Sequence, residues 1–131
     1  MSQENVEVVR SLFDAYNAGD MESFAALHDS GVIWAALEGW PEAETIVGRE
    51  ACMRQYRRGR ESFEVDTVES TTDFIAAGDR VVVRIAWSAT GQGPEMTIEW
   101  TCVYTIRKGK IFIIEFFWDH AEALKAVGLS E

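Results

Sequence analysis

Two carboxylates near the C-terminal end, Glu115 and Asp119, stand four residues apart among aromatic side chains in I-E-F-F-W-D-H. A carboxyl group buried against apolar neighbours loses hydration, which favours its protonated form and suits it to general acid work near neutral pH. On a strand, four residues span roughly 13 Å, so the two groups cannot share a proton and each must act alone. Asp119 also has a competing structural role. Glu122 follows three residues later, at capping-box spacing, and the helix formers A-L-K-A come next. An Asp that accepts backbone N–H bonds stays ionised, which makes it a poor general base, although its second oxygen remains open to a ligand. Glu115 is the better candidate acid.

Its role depends on which way it points. From Glu95 to Arg107 the residues alternate strictly, with Met96, Ile98, Trp100, Cys102, Tyr104 and Ile106 on one face of a strand. Lys108-Gly109 reads as a two-residue hairpin loop, which opposes Tyr104 to Ile113, Cys102 to Glu115, Trp100 to Phe117 and Ile98 to Asp119. Opposed residues project to the same side, so Glu115, Phe117 and Asp119 are expected on the inner face. The same arithmetic across G-Q-G-P adds Val83, Ile85 and Trp87 and leaves Arg84 outside. Inward aromatics beside carboxylates suggest a pocket lined by Trp34, Tyr56, Trp87, Trp100, Cys102, Tyr104 and Phe117. The bland alternative is that Glu115 simply pairs with a nearby Arg. Phe112, Ile114, Phe116 and Trp118 then form an outer apolar row, which calls for cover from the chain itself or a second subunit.

Other chemistries find little support. With only His28 and His120, and with no H-x-x-x-H or C-x-x-C spacing, neither a zinc site nor a Ser–His–Asp arrangement can be assembled, and no metal or cofactor is expected. Cys52 and Cys102 are too far apart in sequence to read as a disulfide framework, so a reducing cytoplasm is the default. G-Q-G-P lacks the Lys-Ser/Thr of a phosphate loop and is a turn. The formal net charge of −10 opposes nucleic-acid binding. The one basic cluster, Arg54 to Arg60, reads as a solvated helix face, with an anionic ligand substituent as the alternative. No apolar run approaches the roughly 20 residues that span a bilayer, and the polar N-terminus does not read as a signal peptide.

The elements that position these residues can be placed coarsely. Val6, Val9, Phe13 and Tyr16 recur at helical spacing, Gly19 ends that helix, and Asp20 caps a second one bearing Phe24 and Leu27. V-I-W-A from Val32 is a strand that Pro41 ends, and a third helix runs from Gly48 through Tyr56. Strands follow from Phe63, divided by turns at A-G-D-R, G-Q-G-P and R-K-G-K. A final helix from His120 to Val127 stops at Gly128. With 131 residues, 47% of them hydrophobic, this is one α+β domain spanning 1–131, with helices on one side of an antiparallel sheet.

N-A-G-D at Asn17, V-I-W at Val32, A-G-D-R-V-V-V at Ala77 and R-K-G-K-I before W-D-H-A-E-A-L resemble, in order and spacing, the SnoaL-like branch of the nuclear-transport-factor-two-like superfamily. The resemblance implies a conical α+β barrel, a curved antiparallel sheet wrapped around N-terminal helices with an internal pocket. It also implies a homodimer through the outer sheet face, here Phe112, Ile114, Phe116 and Trp118. In the cyclases of that family an Asp on the last strand is the acid/base group, and Asp119 falls there. Against ketosteroid isomerase the match fails, since its oxyanion Tyr falls at Leu12 and its base near Ala35 or Ala36, and activity of that type is not expected. Fold alone does not carry function in such a superfamily. Together these readings suggest a pocket for a largely apolar, cyclic small molecule, extending to acid/base catalysis of cyclase, dehydratase or isomerase type. The alternative is a non-catalytic dimeric ligand-binding or structural module.

Overall fold

A computed structural model describes residues 2–35, 44–91 and 93–129. Pro41, Ala36 and Gln92 of the G-Q-G-P turn lie outside the described residues. Helix α1 (Ser2–Ala18) leads through Gly19, at φ 74°, into α2 (Met21–Ala26), where Asp20 Oδ1 accepts the Ser23 N–H at 3.1 Å. Strands β1 (His28–Trp34) and β2 (Ile46–Val47) precede α3 (Arg49–Glu61), which runs one full turn beyond Tyr56. Then come β3 (Val65–Ser70), β4 (Ile75–Ala77), β5 (Arg80–Thr90), β6 (Met96–Arg107), β7 (Lys110–Phe117) and α4 (His120–Ala126).

The seven strands form one sheet in the order β2-β1-β7-β6-β5-β3, with β4 also paired to β5. The pairings are antiparallel except that β1 lies parallel to β7, a departure from the all-antiparallel sheet expected. The long, curved β5–β6–β7 ribbon wraps the helices. Its inner face carries Val81, Val83, Ile85, Cys102, Tyr104, Ile106, Ile111 and Ile114, which pack with Val9, Leu12, Phe13 and Tyr16 of α1 in the main core. Val83, Ile85 and Trp87 share a face with the even-numbered residues of β6, as the alternation predicts. A smaller cluster on the outer face joins Val82 and Val103 to Ala123 and Val127 around α4.

The β6–β7 hairpin corrects one expectation. Its loop is the two-residue turn predicted, with Lys108 at φ 53° and Gly109 at φ 76° and Arg107 opposite Lys110, as a type I′ hairpin requires. Ile106 opposes Ile111, but Thr105 then opposes Ile113, so Phe112 is an extra residue on β7. This is a β-bulge, and one inserted residue exchanges the two faces of everything beyond it. Ile114 therefore opposes Tyr104, Phe116 opposes Cys102, Glu115 opposes Val103 and Phe117 opposes Thr101. Glu115 and Phe117 face outward, and Phe117 packs against the α4 cluster. The expected outer row does not exist as a face. Ile114 is fully buried, Phe116 joins the inner core, and the Arg107 guanidinium stacks 3.6 Å from the Phe112 ring. With Ile114 and Phe116 turned inward, these four residues form no outer row for a second subunit to cover.

Candidate functional site

Between α1, α2, α3 and the concave face of the sheet lies a cavity of about 720 Å³. Half of its lining residues are aromatic. Phe13, Tyr16 and Phe24 come from the N-terminal helices, Tyr56 from α3, Trp34 from β1, and Trp87, Trp100, Tyr104 and Phe116 from the β5–β7 ribbon, with Trp118 just beyond it. Tyr56 holds this wall together, with its ring centroid 4.6 Å from Trp34, 4.7 Å from Phe24 and 6.2 Å from Tyr16. Such offset and edge-on contacts suit aromatic quadrupoles and hold the rings in defined orientations. Glu44, Gln55 and Arg58 add polar side chains to the lining.

Of the residues expected at the site, the structure gathers Trp34, Tyr56, Trp87, Trp100, Cys102 and Tyr104 around this cavity, and leaves Phe117, Glu115 and Asp119 out of its lining. Asp119 is exposed and caps α4, accepting the Ala121 N–H on Oδ1 at 2.8 Å. Glu115 is half-buried on the outer face beside Val103. Arg84 is outside, as expected, 3.4 Å from Glu99 and donating to Thr101 Oγ1 and the Trp118 carbonyl.

The carboxylate behind the cavity wall is one the sequence reading passed over. Asp66, on β3, is 6% exposed. Its Oδ2 accepts from the Tyr16 hydroxyl and from the Trp87 indole N–H, the latter at 2.9 Å, while Oδ1 lies 3.2 Å from Arg60 Nε. Arg60 also donates to the Tyr16 carbonyl at 2.7 Å and stacks 4.1 Å from the Tyr16 ring. A buried charge needs such pairing. Part of the basic cluster expected to be solvated is therefore built into the site. The available signal was parity: Asp66 shares a face of β3 with Val68, which opposes Trp87.

Burial governs the titratable groups of this region. Burial first, then the hydrogen bond to Asp66, raises the Tyr16 hydroxyl above its usual range. Burial likewise raises Tyr56 and Tyr104, and it pushes the Cys102 thiol up to about 12 and that of Cys52 to about 11. These thiols stay protonated at neutral pH and are not poised nucleophiles. His28, fully buried beneath α2, is lowered to about 4, chiefly by burial. Its Nδ1 lies 2.8 Å from the Phe24 carbonyl, and its Nε2 has no hydrogen-bond partner among the described residues. Among the described residues no three His, Cys, Asp or Glu side chains are grouped to hold a metal, and no helix is long and apolar enough to cross a membrane.

A curved sheet folded over helices around an aromatic cavity is the α+β cone of the nuclear-transport-factor-two-like proteins. Residues 9–114 match the SnoaL-like domain model, and the chain belongs to that family. Among solved structures, Bal32a from a soil-derived mobile gene cassette is 24% identical, with a TM-score of 0.75 over 90% of this chain and 98% of its own. An NTF2-like protein of unknown function from Burkholderia pseudomallei is 20% identical, with a TM-score of 0.75 over 95% and 98% of the two chains. TerC, co-crystallised with polyporic acid, is 19% identical, with a TM-score of 0.74 over 95% and 98%. At these identities the likeness is one of fold. No curated protein matches the chain.

Proposed function

We propose that the cavity binds a flat, largely apolar, cyclic small molecule. The observation that carries this reading is the volume of about 720 Å³ walled by aromatic rings, within the range typical of small-molecule sites and far larger than packing defects in a core. Rings held by one another lose little freedom when a ligand stacks on them, which favours planar guests. The co-crystallisation of TerC, a protein of the same fold, with polyporic acid lends the reading a precedent.

Trp34, Trp87, Trp100 and Trp118 all line the cavity, so a planar aromatic probe that enters it should quench intrinsic fluorescence saturably. Gly59 lines the cavity and has open space where a Cβ would project, so Gly59→Phe should obstruct it and abolish the response in a folded protein. A wild-type protein whose tryptophans ignore planar aromatic probes up to their solubility limit would refute the proposal.

Acid/base turnover of cyclase, dehydratase or isomerase type is a second reading. It is favoured by Asp66, a buried carboxylate one hydrogen bond behind Tyr16 in the wall. Retained ligand affinity with lost turnover in Asp66→Asn would support it. Turnover equal to wild type in that variant would remove it.

A further inference from the structure

Three cavity-lining side chains spend their hydrogen-bond donors inside the protein. The Tyr16 hydroxyl and the Trp87 N–H both donate to Asp66 Oδ2, and the Trp100 N–H donates to Cys102 Sγ at 3.2 Å. Tyr16, Trp87 and Trp100 line the cavity, whereas Asp66 stands behind them. Indole has one donor and no acceptor, so the two tryptophans have nothing polar left to offer a guest. A phenol has one donor and two lone pairs. With its single proton directed to a carboxylate, Tyr16 retains only acceptor capacity.

That commitment is not easily undone. A hydroxyl donating to a carboxylate makes a charge-assisted bond, roughly twice as strong as a neutral one. Arg60, bound to the other oxygen of Asp66 and stacked on the Tyr16 ring, holds both partners in place. Turning the Tyr16 proton toward a ligand would leave a buried carboxylate short of a donor, which is costly. The hydroxyl also keeps its proton, because burial and the neighbouring carboxylate both oppose ionisation.

We infer that Tyr16 Oη is a specificity-determining acceptor: the cavity selects planar ligands that present an O–H or N–H donor, such as a phenol or enol, and disfavours the same skeleton methylated at that atom. An ether oxygen would set lone pairs against lone pairs, whereas a hydroxyl extends the chain of hydrogen bonds from ligand to Tyr16 to Asp66. The inference rests on the cavity being a binding site, as proposed above.

The probes are 2-naphthol and 2-methoxynaphthalene, titrated against the full chain by tryptophan fluorescence. The ether is the more apolar of the two, so hydrophobic burial alone predicts that it binds better. The wild type should instead favour the naphthol about three- to tenfold, the worth of one hydrogen bond. Tyr16→Phe should erase that preference by weakening the naphthol alone, and Tyr56→Phe and Tyr104→Phe should keep it. Equal binding of both probes to the wild type, or a preference that survives in Tyr16→Phe, overturns the inference while leaving the binding site intact. Failure of both probes to bind overturns the binding site and the inference together. Should Tyr16→Phe not fold, the other two variants decide: a preference lost in either belongs to that residue and not to Tyr16.

Discussion

Replacing Arg60 with Met tests whether the Asp66 network holds the helices to the sheet. The methionine side chain keeps most of the apolar contact and removes the guanidinium. Four contacts then disappear: the ion pair to Asp66 Oδ1, the bonds to the Tyr16 carbonyl and to Met21 Sδ, and the stack on the Tyr16 ring. Removing one partner of a buried pair costs about 3–5 kcal/mol, because the other charge is left uncompensated. Here the Arg60 side chain is 20% exposed, and Asp66 keeps two donors, from Tyr16 and Trp87. Both facts place the loss at the low end, about 3 kcal/mol, or roughly 10 °C in melting temperature for a chain of this size. Urea unfolding of Arg60→Met, Asp66→Asn and the double variant gives the coupling directly. The cost of Asp66→Asn should be smaller by at least about 1.5 kcal/mol in the Arg60→Met background than in the wild type, since the charge it removes is by then unpaired. Arg57→Met, at an exposed position of the same helix, should stay within about 0.5 kcal/mol of wild type. A loss under about 1 kcal/mol in Arg60→Met, or strict additivity in the cycle, would show that the network is too well solvated to matter.

His28 is lowered in the fold from 6.5 to about 4, so between these values the unfolded chain takes up a proton that the folded chain refuses. Its stabilising effect is full above about pH 6.5 and is lost as pH falls toward 4, by about 3 kcal/mol in all. Denaturant melts at pH 7.5 and 5 should show His28→Gln losing measurably less than wild type, and equal losses would refute the assignment. Ile114→Ala should cost about 2–5 kcal/mol by calorimetry, because Ile114 is fully buried on the inner face; a loss of a few tenths would restore the unbulged register. Asp119→Asn should leave the melting temperature and probe binding unchanged, whereas Asp119→Ala should cost about 1 kcal/mol as a lost cap. Loss of probe binding in folded Asp119→Asn would return that carboxylate to the site.

What the sequence made legible was what repeats. Eleven of the twelve residues of β6 alternate, Val103 alone being apolar on the outer face, so the inner face could be read directly, and the faces of β5 followed across the hairpin. Local chemistry announced the Gly19 stop, the Asp20 and Asp119 caps and the Lys108-Gly109 turn. The bulge left no such trace. Strand β7 reads K-I-F-I-I-E-F-F, apolar on both parities, because the core takes one face and α4 covers part of the other. An inserted residue therefore breaks no visible pattern, and the faces of Glu115, Phe116 and Phe117 were exchanged. Asp66 was hidden differently. Two of its partners lie 50 residues away at Tyr16 and 21 away at Trp87, the third, Arg60, reads as part of a solvated helix face, and V-D-T-V-E-S has too little apolar contrast for a strand of six to declare its inner side.

The parallel pairing of β1 with β7 bears on how the chain is made. His28 and Ile111 are register partners, separated by about 80 residues, so at ribosomal speeds of about 5–20 residues per second β1 waits roughly 4–16 s for its neighbour to be synthesised. During that interval α1–α3 and the β3–β6 strands can form and β2 can pair with one side of β1, but the other side of β1 has no strand to lie against. Joining β1 to β7 closes a long loop late, a step that slows folding. A nascent chain arrested before Lys110 would lack the strand that joins β2-β1 to β6-β5-β3, leaving β1 and β6 each with an added unpaired edge, and unpaired edges recruit other chains. Both added edges are thus covered at once, when the single strand β7 becomes available to pair.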